Sequence, residues 1–226
     1  MSEGADFRAV LFDVDSTILV TGGAGGAAWQ RAFAELYGVE ANVHERTDAG
    51  MTDPEIAAIV FREAVGREGN AEERARAIGA YLKHLPDTVG ESSGYRLMPG
   101  IEALLDRLID AGLLLGLVTG NVEAAAHIKL SRAGLNRFFS FGGYGSDSSD
   151  RTEVTEAALR RADLVSGGPL DPGACIAVGD TPRDVRAGHG AGIRVVAVAT
   201  GKYSIAQLEQ AGADWVLPTV EGRFPA

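Results

Sequence analysis

From about residue 98 onward, apolar runs of strand length alternate with helical stretches, and that alternation indicates a parallel sheet with helices on both faces. The strands read as 113–118, 138–141, 174–178, 195–199 and 215–217. The helices read as 99–111, 122–133, 153–164, 183–187 and 204–211, with Pro99 near the first position of one and Gly112 and Gly134 closing two others. Residues 9–12 read as one more buried strand of the same sheet. Residues 27–90 differ: 28–37, 54–65 and 71–85 carry helical spacing with no convincing strand between them. The expected fold is α/β, a doubly wound, Rossmann-like parallel sheet with an inserted all-helical block. The core comprises 1–20 and 95–226 and the block 21–94, with edges at the Gly-rich 21–26 and the polar 90–94.

At 226 residues the chain buries roughly 70–75% of its unfolded surface and needs no staple. A net charge of −10 without a Lys/Arg cluster argues against nucleic acid and against an anionic membrane surface. An anionic substrate must then be held by a metal and by local donors. Residues 1–6 show no secretory pattern, and no apolar stretch is long enough to span a membrane. The single cysteine, Cys175, lies in an apolar run and reads as a buried structural thiol. A reducing, cytoplasmic setting is expected.

Ligands of open α/β sheets bind at the carboxyl ends of the strands, and four segments there can carry chemistry. Asp13 and Asp15 follow the first strand, two residues apart, where two like charges serve no purpose of stability. Leu117-Val118-Thr119-Gly120-Asn121 runs from a strand into a helix and offers a hydroxyl and backbone amides to an anion, although Thr119 or Asn121 could be a plain N-cap. Val178-Gly179-Asp180-Thr181-Pro182-Arg183-Asp184 starts a helix well, but capping does not explain Asp180. Asp150-Arg151 precedes another helix. Carboxylates clustered on one rim repel unless a cation sits among them, and hard oxygen ligands without His or Cys indicate Mg²⁺. Such a rim suits phosphoryl transfer.

Asp13-Val14-Asp15-Ser16-Thr17, Thr119-Gly120-Asn121 and Gly179-Asp180-Thr181-Pro182-Arg183-Asp184 resemble, in order and spacing, the first, second and fourth motifs of the haloacid dehalogenase-like hydrolase superfamily. The helical insert resembles its cap, and Ala49-Gly50-Met51-Thr52-Asp53-Pro54 resembles the phosphoglycolate phosphatase-like branch. The resemblance implies a hydrolase of small phosphomonoesters, with a phosphorylated metabolite as its partner and Mg²⁺ as cofactor. It implies that Asp13 is the nucleophile and Asp15 the acid and base. Thr119, Gly120, Asn121 and Arg151 would bind the phosphoryl group. Asp13, Asp180 and the backbone carbonyl of Asp15 would hold the metal, supported by Asp184.

Two departures from the family pattern stand out. The third motif usually supplies a Lys, and the only lysines are Lys83, Lys129 and Lys202. Arg151 sits where that Lys is expected; Lys129 lies mid-helix and reads as a surface residue. Ser16 stands where Gly is commoner. Gly23-Ala24-Gly25-Gly26-Ala27-Ala28 fits a dinucleotide fingerprint on paper, but it leads into a helical block and reads better as a hinge. A phosphomutase of the same superfamily shares the motifs, and a receiver-type phospho-accepting module shares the acidic residues and the Thr. Asp15 and the cap favour turnover. Thr52 and Asp53 are candidate substrate contacts.

Overall fold

Val10 and Phe12 point to one side of strand β1 (Ala9–Phe12) and Ala9 and Leu11 to the other, and all four are fully buried. A strand covered on both faces belongs in the middle of a sheet, and β1 occupies that place. The computed structural model describes residues 7–43 and 47–226; the reading of residues 1–6 lies outside them. β2 (Leu19–Val20) and β3 (Arg96–Leu97) form a separate two-stranded antiparallel ribbon. β4 (Leu114–Val118), β5 (Phe141–Gly143), β6 (Cys175–Gly179), β7 (Arg194–Val198) and β8 (Trp215–Leu217) join β1 in a six-stranded sheet of order β5-β4-β1-β6-β7-β8, parallel throughout. The chain builds outward from β1 on one side, then returns to build on the other. That reversal opens the crevice where such sheets take ligands.

α1 (Ala24–Tyr37), α2 (Asp53–Val60) and α3 (Ala71–Glu91) lie between β2 and β3. α4 (Ile101–Asp110), α5 (Glu123–Ser131), α6 (Arg151–Ser166), α7 (Pro182–Gly190) and α8 (Ile205–Gln210) cover the sheet. Residues of this insert bury a cluster of their own, including Trp29, Phe33, Phe61, Tyr81 and Leu85. Trp29 stacks on Tyr81 with ring centroids 4.3 Å apart and planes 6° from parallel. Among the described residues no helix is long and apolar enough to cross a membrane.

The α/β architecture is as the alternation predicts, with several boundaries moved. The strand expected at 138–141 forms at Phe141–Gly143, because Leu135–Phe138 is a 3₁₀ turn whose Leu135 and Phe138 pack into the core. Phe61–Val65 leaves the α-helix as a π turn closed by Gly66. α3 continues past the expected end at 85 and through Pro86 to Glu91, held by burial of Thr88 and Val89. Cys175 is fully buried, and burial pushes its thiol up to about 11, so it is the inert thiol expected.

The ribbon ties the inserted helices to the sheet. Gly22 and Gly94 approach so closely that a Cβ on Gly94 would stand 2.8 Å from the Gly22 Cα. Only glycines fit there. The chain therefore leaves for the helices and returns from them at one point.

Candidate active site

Register brings three strand ends level. Phe12 pairs with Leu117 on one side and with Val178 on the other, so Asp13, Thr119 and Asp180 emerge together. The Asp13 N–H donates to the Val178 carbonyl (2.9 Å) and the Thr119 N–H to that of Gly143 (3.0 Å), which anchors both residues. After Asp13 the chain turns sharply: Ser16 N–H donates to the Leu19 carbonyl (2.7 Å), and Ile18 N–H to that of Val14 (2.9 Å). Ser16 sits in this turn at φ 63°, the only positive φ outside glycine among the described residues. That is why Gly is the commoner residue there.

The two opening carboxylates face different company. Asp13, Asp180 and Asp184 each bring a carboxylate oxygen within 4.8 Å of the others, and all three are buried. Arg151, the first residue of α6, reaches this cluster. Its Nη2 bonds Asp184 and stands 3.5 Å from Asp13 Oδ1. Burial, then Asp184 and Asp13, push Asp180 up to about 9. Burial and Asp184 likewise push Asp13 up, against Arg151. A set of buried oxygen donors that cannot all ionise by themselves fits a divalent cation. A Cβ on Gly201 would overlap the Asp180 carboxylate, so the loop after β7 closes down on that ligand.

Asp15 looks elsewhere. Its Oδ2 accepts from Lys129 Nζ at 2.6 Å and from Asn121 Nδ2 at 2.8 Å. Lys129 also donates to Asn121 Oδ1 (2.6 Å), and Asn121 Nδ2 donates to Thr119 Oγ1 (2.8 Å). Lys129 is therefore no surface residue: it is 5% exposed and points from α5 into the site. The sequence carried a signal for this. Lys129 falls on the buried stripe of α5 with Ala125, Ala126 and Leu130, and a charge on a stripe of small apolar residues has a partner inside.

Thr119 accepts from the Asn121 amide, which leaves its hydroxyl proton for an oxygen in the cavity. The Asn121 N–H goes to Thr119 and the Val122 N–H to Asp53, so this turn offers a ligand the Gly120 N–H, which has no partner among the described residues. The Arg151 Nε is buried and also without a partner.

Asp53 enters from the inserted helices. Its N–H donates to the Gly120 carbonyl (2.8 Å) and its Oδ2 accepts from the Val122 N–H (2.8 Å). It thus clamps the start of α2 onto the Thr119 turn. Burial pushes Asp53 up to about 6, against Lys129 and the Val122 N–H. An acid raised on folding is protonated in the folded state while still ionised in the unfolded one. Stability therefore falls as pH rises from the ordinary carboxylate value toward 6 and is level above it. Asp53→Asn keeps an acceptor for Val122 and removes the charge. Urea melts from pH 4 to 7 should show that the wild type loses about 2 kcal/mol relative to this variant.

A cavity of about 380 Å³ opens in front of Asp13, between these strand ends and the inserted helices. It reaches Trp29, Met51, Asp53 and Tyr81 on one side and Asp15, Thr119, Lys129, Arg151 and Asp180 on the other.

Comparison with known proteins agrees with this geometry. Residues 10–198 match the model of the haloacid dehalogenase-like hydrolase family. The phosphoglycolate phosphatase of Synechococcus elongatus is 29% identical over 94% of this chain and 93% of its own. The plasmid-encoded protein CbbY of Cupriavidus necator is 30% identical over 93% of this chain and 85% of its own. The crystal structure of CbbY from Rhodobacter sphaeroides in complex with phosphate superposes with a TM-score of 0.75, at 22% identity over 95% of both chains. A parallel sheet with acidic strand ends, matched along most of its length by these relatives, places the chain among the haloacid dehalogenase-like hydrolases, in their phosphoglycolate phosphatase-like branch, as an enzyme of the phosphatase type.

Proposed function

We propose that the protein is a Mg²⁺-dependent phosphatase of small phosphomonoesters, phosphoglycolate among them, working through an aspartyl-phosphate. One observation carries this reading: Asp13 and Asp15 are two residues apart yet sit in separate charge environments. Asp13 faces the acidic cluster and Arg151, which suits a nucleophile. Asp15 is fixed at the cavity wall by Lys129 and Asn121, which suits a proton carrier.

Asp13 Oδ bonds to phosphorus while the bond from phosphorus to the leaving oxygen breaks, and Asp15 gives that oxygen its proton. Asp15 then takes a proton from the water that attacks phosphorus, freeing Asp13 and inorganic phosphate. The Thr119 hydroxyl, the Gly120 N–H and the unpartnered Arg151 Nε are the donors for the phosphoryl oxygens. Asp13, Asp180 and Asp184, with the Asp15 carbonyl, would hold Mg²⁺. Bound there, it supplies the positive charge that lets a carboxylate and a phosphate meet. Residues 21–94 act as the cap that encloses the substrate.

The direct test follows inorganic phosphate from 2-phosphoglycolate and p-nitrophenyl phosphate. Multiple turnovers are expected with Mg²⁺, with the rate falling at least about 100-fold in EDTA and returning on Mg²⁺ addition. A single equivalent of phosphoryl group accepted without turnover would instead indicate a receiver-type module. Phosphoryl transfer between sugar positions, with no phosphate released, would indicate the phosphomutase. Turnover indifferent to EDTA overturns the metal assignment.

A further inference from the structure

Among the described residues three cations line the cavity: Arg96, Lys129 and Arg151. Lys129 is committed to Asp15 and Asn121, and Arg151 to Asp184 and Asp13. Among the described residues Arg96 has no ion-pair or side-chain hydrogen-bond partner. It lies on β3 opposite Val20 of β2, and both line the cavity, while Leu19 and Leu97, one step along the ribbon, pack toward the core. The pleat thus turns an unneutralised guanidinium toward the substrate space.

The other described carboxylates that line the cavity outside the acidic cluster are already engaged. Asp48 is paired with Lys202 at 2.8 Å, and Asp53 holds the Val122 N–H. Among the described residues a cationic distal group on the substrate would meet cavity acids that are already engaged, whereas an oxyanion would find a free guanidinium.

We propose that Arg96 is a specificity-determining residue that recognises a second oxyanion, a carboxylate or a second phosphate, on a short phosphomonoester. The inference rests on the phosphatase reading above. The guanidinium offers parallel N–H donors that match either oxyanion. Because Arg96 is exposed and outside both the acidic cluster and the Asp15 network, changing it spares the chemistry.

The test measures kcat/KM with Mg²⁺ for 2-phosphoglycolate, a sugar bisphosphate, phosphoethanolamine and p-nitrophenyl phosphate. The first two carry the distal carboxylate and the distal phosphate; the third is similar in length to the first but ends in an ammonium. Arg96→Gln should lower kcat/KM for 2-phosphoglycolate, the bisphosphate or both by about tenfold or more, chiefly through KM, and leave p-nitrophenyl phosphate within about twofold. The anionic substrate that loses most identifies the oxyanion. Arg96→Glu should go further and raise phosphoethanolamine relative to 2-phosphoglycolate, an inversion that a merely structural role would not produce. If both variants turn over p-nitrophenyl phosphate normally and keep the wild-type ratios, the Arg96 assignment is overturned and the phosphatase stands. If the wild type releases phosphate from none of the four, the phosphatase reading fails and Arg96 with it.

Discussion

Asp13→Asn should reduce phosphate release by at least about 10⁴-fold in kcat, because the amide keeps the shape of the carboxylate but cannot attack phosphorus. The variant should fold, and a stability measurement separates a chemical loss from a structural one. Asp13, Asp180 and Asp184 crowd their charges into a buried site, so the metal-free wild type is strained by its own carboxylates. Removing one charge should raise the melting temperature in EDTA by a few degrees, and Arg151 keeps Asp184 as its partner. The gain should shrink or reverse with Mg²⁺, since the variant has lost a ligand. A variant that retained a tenth of wild-type turnover would remove Asp13 from the chemistry. One that melted lower in EDTA would show that the cluster does not oppose folding.

Lys129→Met should cost about 10²- to 10³-fold in kcat with a much smaller change in KM. Methionine matches the length of the lysine stem and deletes the charge. Asn121 Oδ1 then loses its donor and Asp15 its counter-ion, so the amide that also holds Thr119 is free to turn. Proton transfer and phosphate grip would suffer together. Because Asp15 is nearly half exposed, solvent screens much of its pair with Lys129, and the loss of stability should stay near about 1–2 kcal/mol. Steady-state kinetics beside a urea melt checks both numbers. A variant with wild-type kcat would show that Asn121 alone fixes Asp15.

Lys129 also marks where reading the sequence stops. Asp13, Thr119 and Asp180 were legible because buried parallel strands are continuous apolar runs, and their ends are visible as the residue where the run breaks. Arg151 was legible only through the family pattern, since nothing local separates a helix-initial Arg with a surface role from one reaching 3.5 Å from Asp13. Lys129 was misread because mid-helix lysines usually face water, and its partners lie 8 and 114 positions away in the chain. Arg96 was invisible for another reason. A two-residue strand has no periodicity to read, and its face is set by a pairing with Val20 that only the folded ribbon creates. The clamp made by Asp53 is likewise tertiary: the sequence offered Thr52 and Asp53 as candidate substrate contacts, whereas Thr52 caps α2, Asp53 opens it, and the bonds of Asp53 to Gly120 and Val122 come from docking. Short irregular pieces moved most, as at 138–141, where Phe138 fills the core from a turn.

The Gly22–Gly94 contact has a consequence for how such a chain can be rebuilt. A segment whose two ends meet backbone to backbone is, for the rest of the fold, a single attachment point. The connection that closes the ribbon between β2 and β3 therefore need not be long, and the helices between those glycines can be exchanged for another set, or for a short turn, without moving the strand ends. Such grafts would retain the acidic cluster and Arg151, which belong to the sheet and its covering helices, and would replace Trp29, Asp53 and Tyr81. Arg96 lies on the sheet side of the junction and would stay, so part of the substrate choice would travel with the catalytic half rather than with its lid.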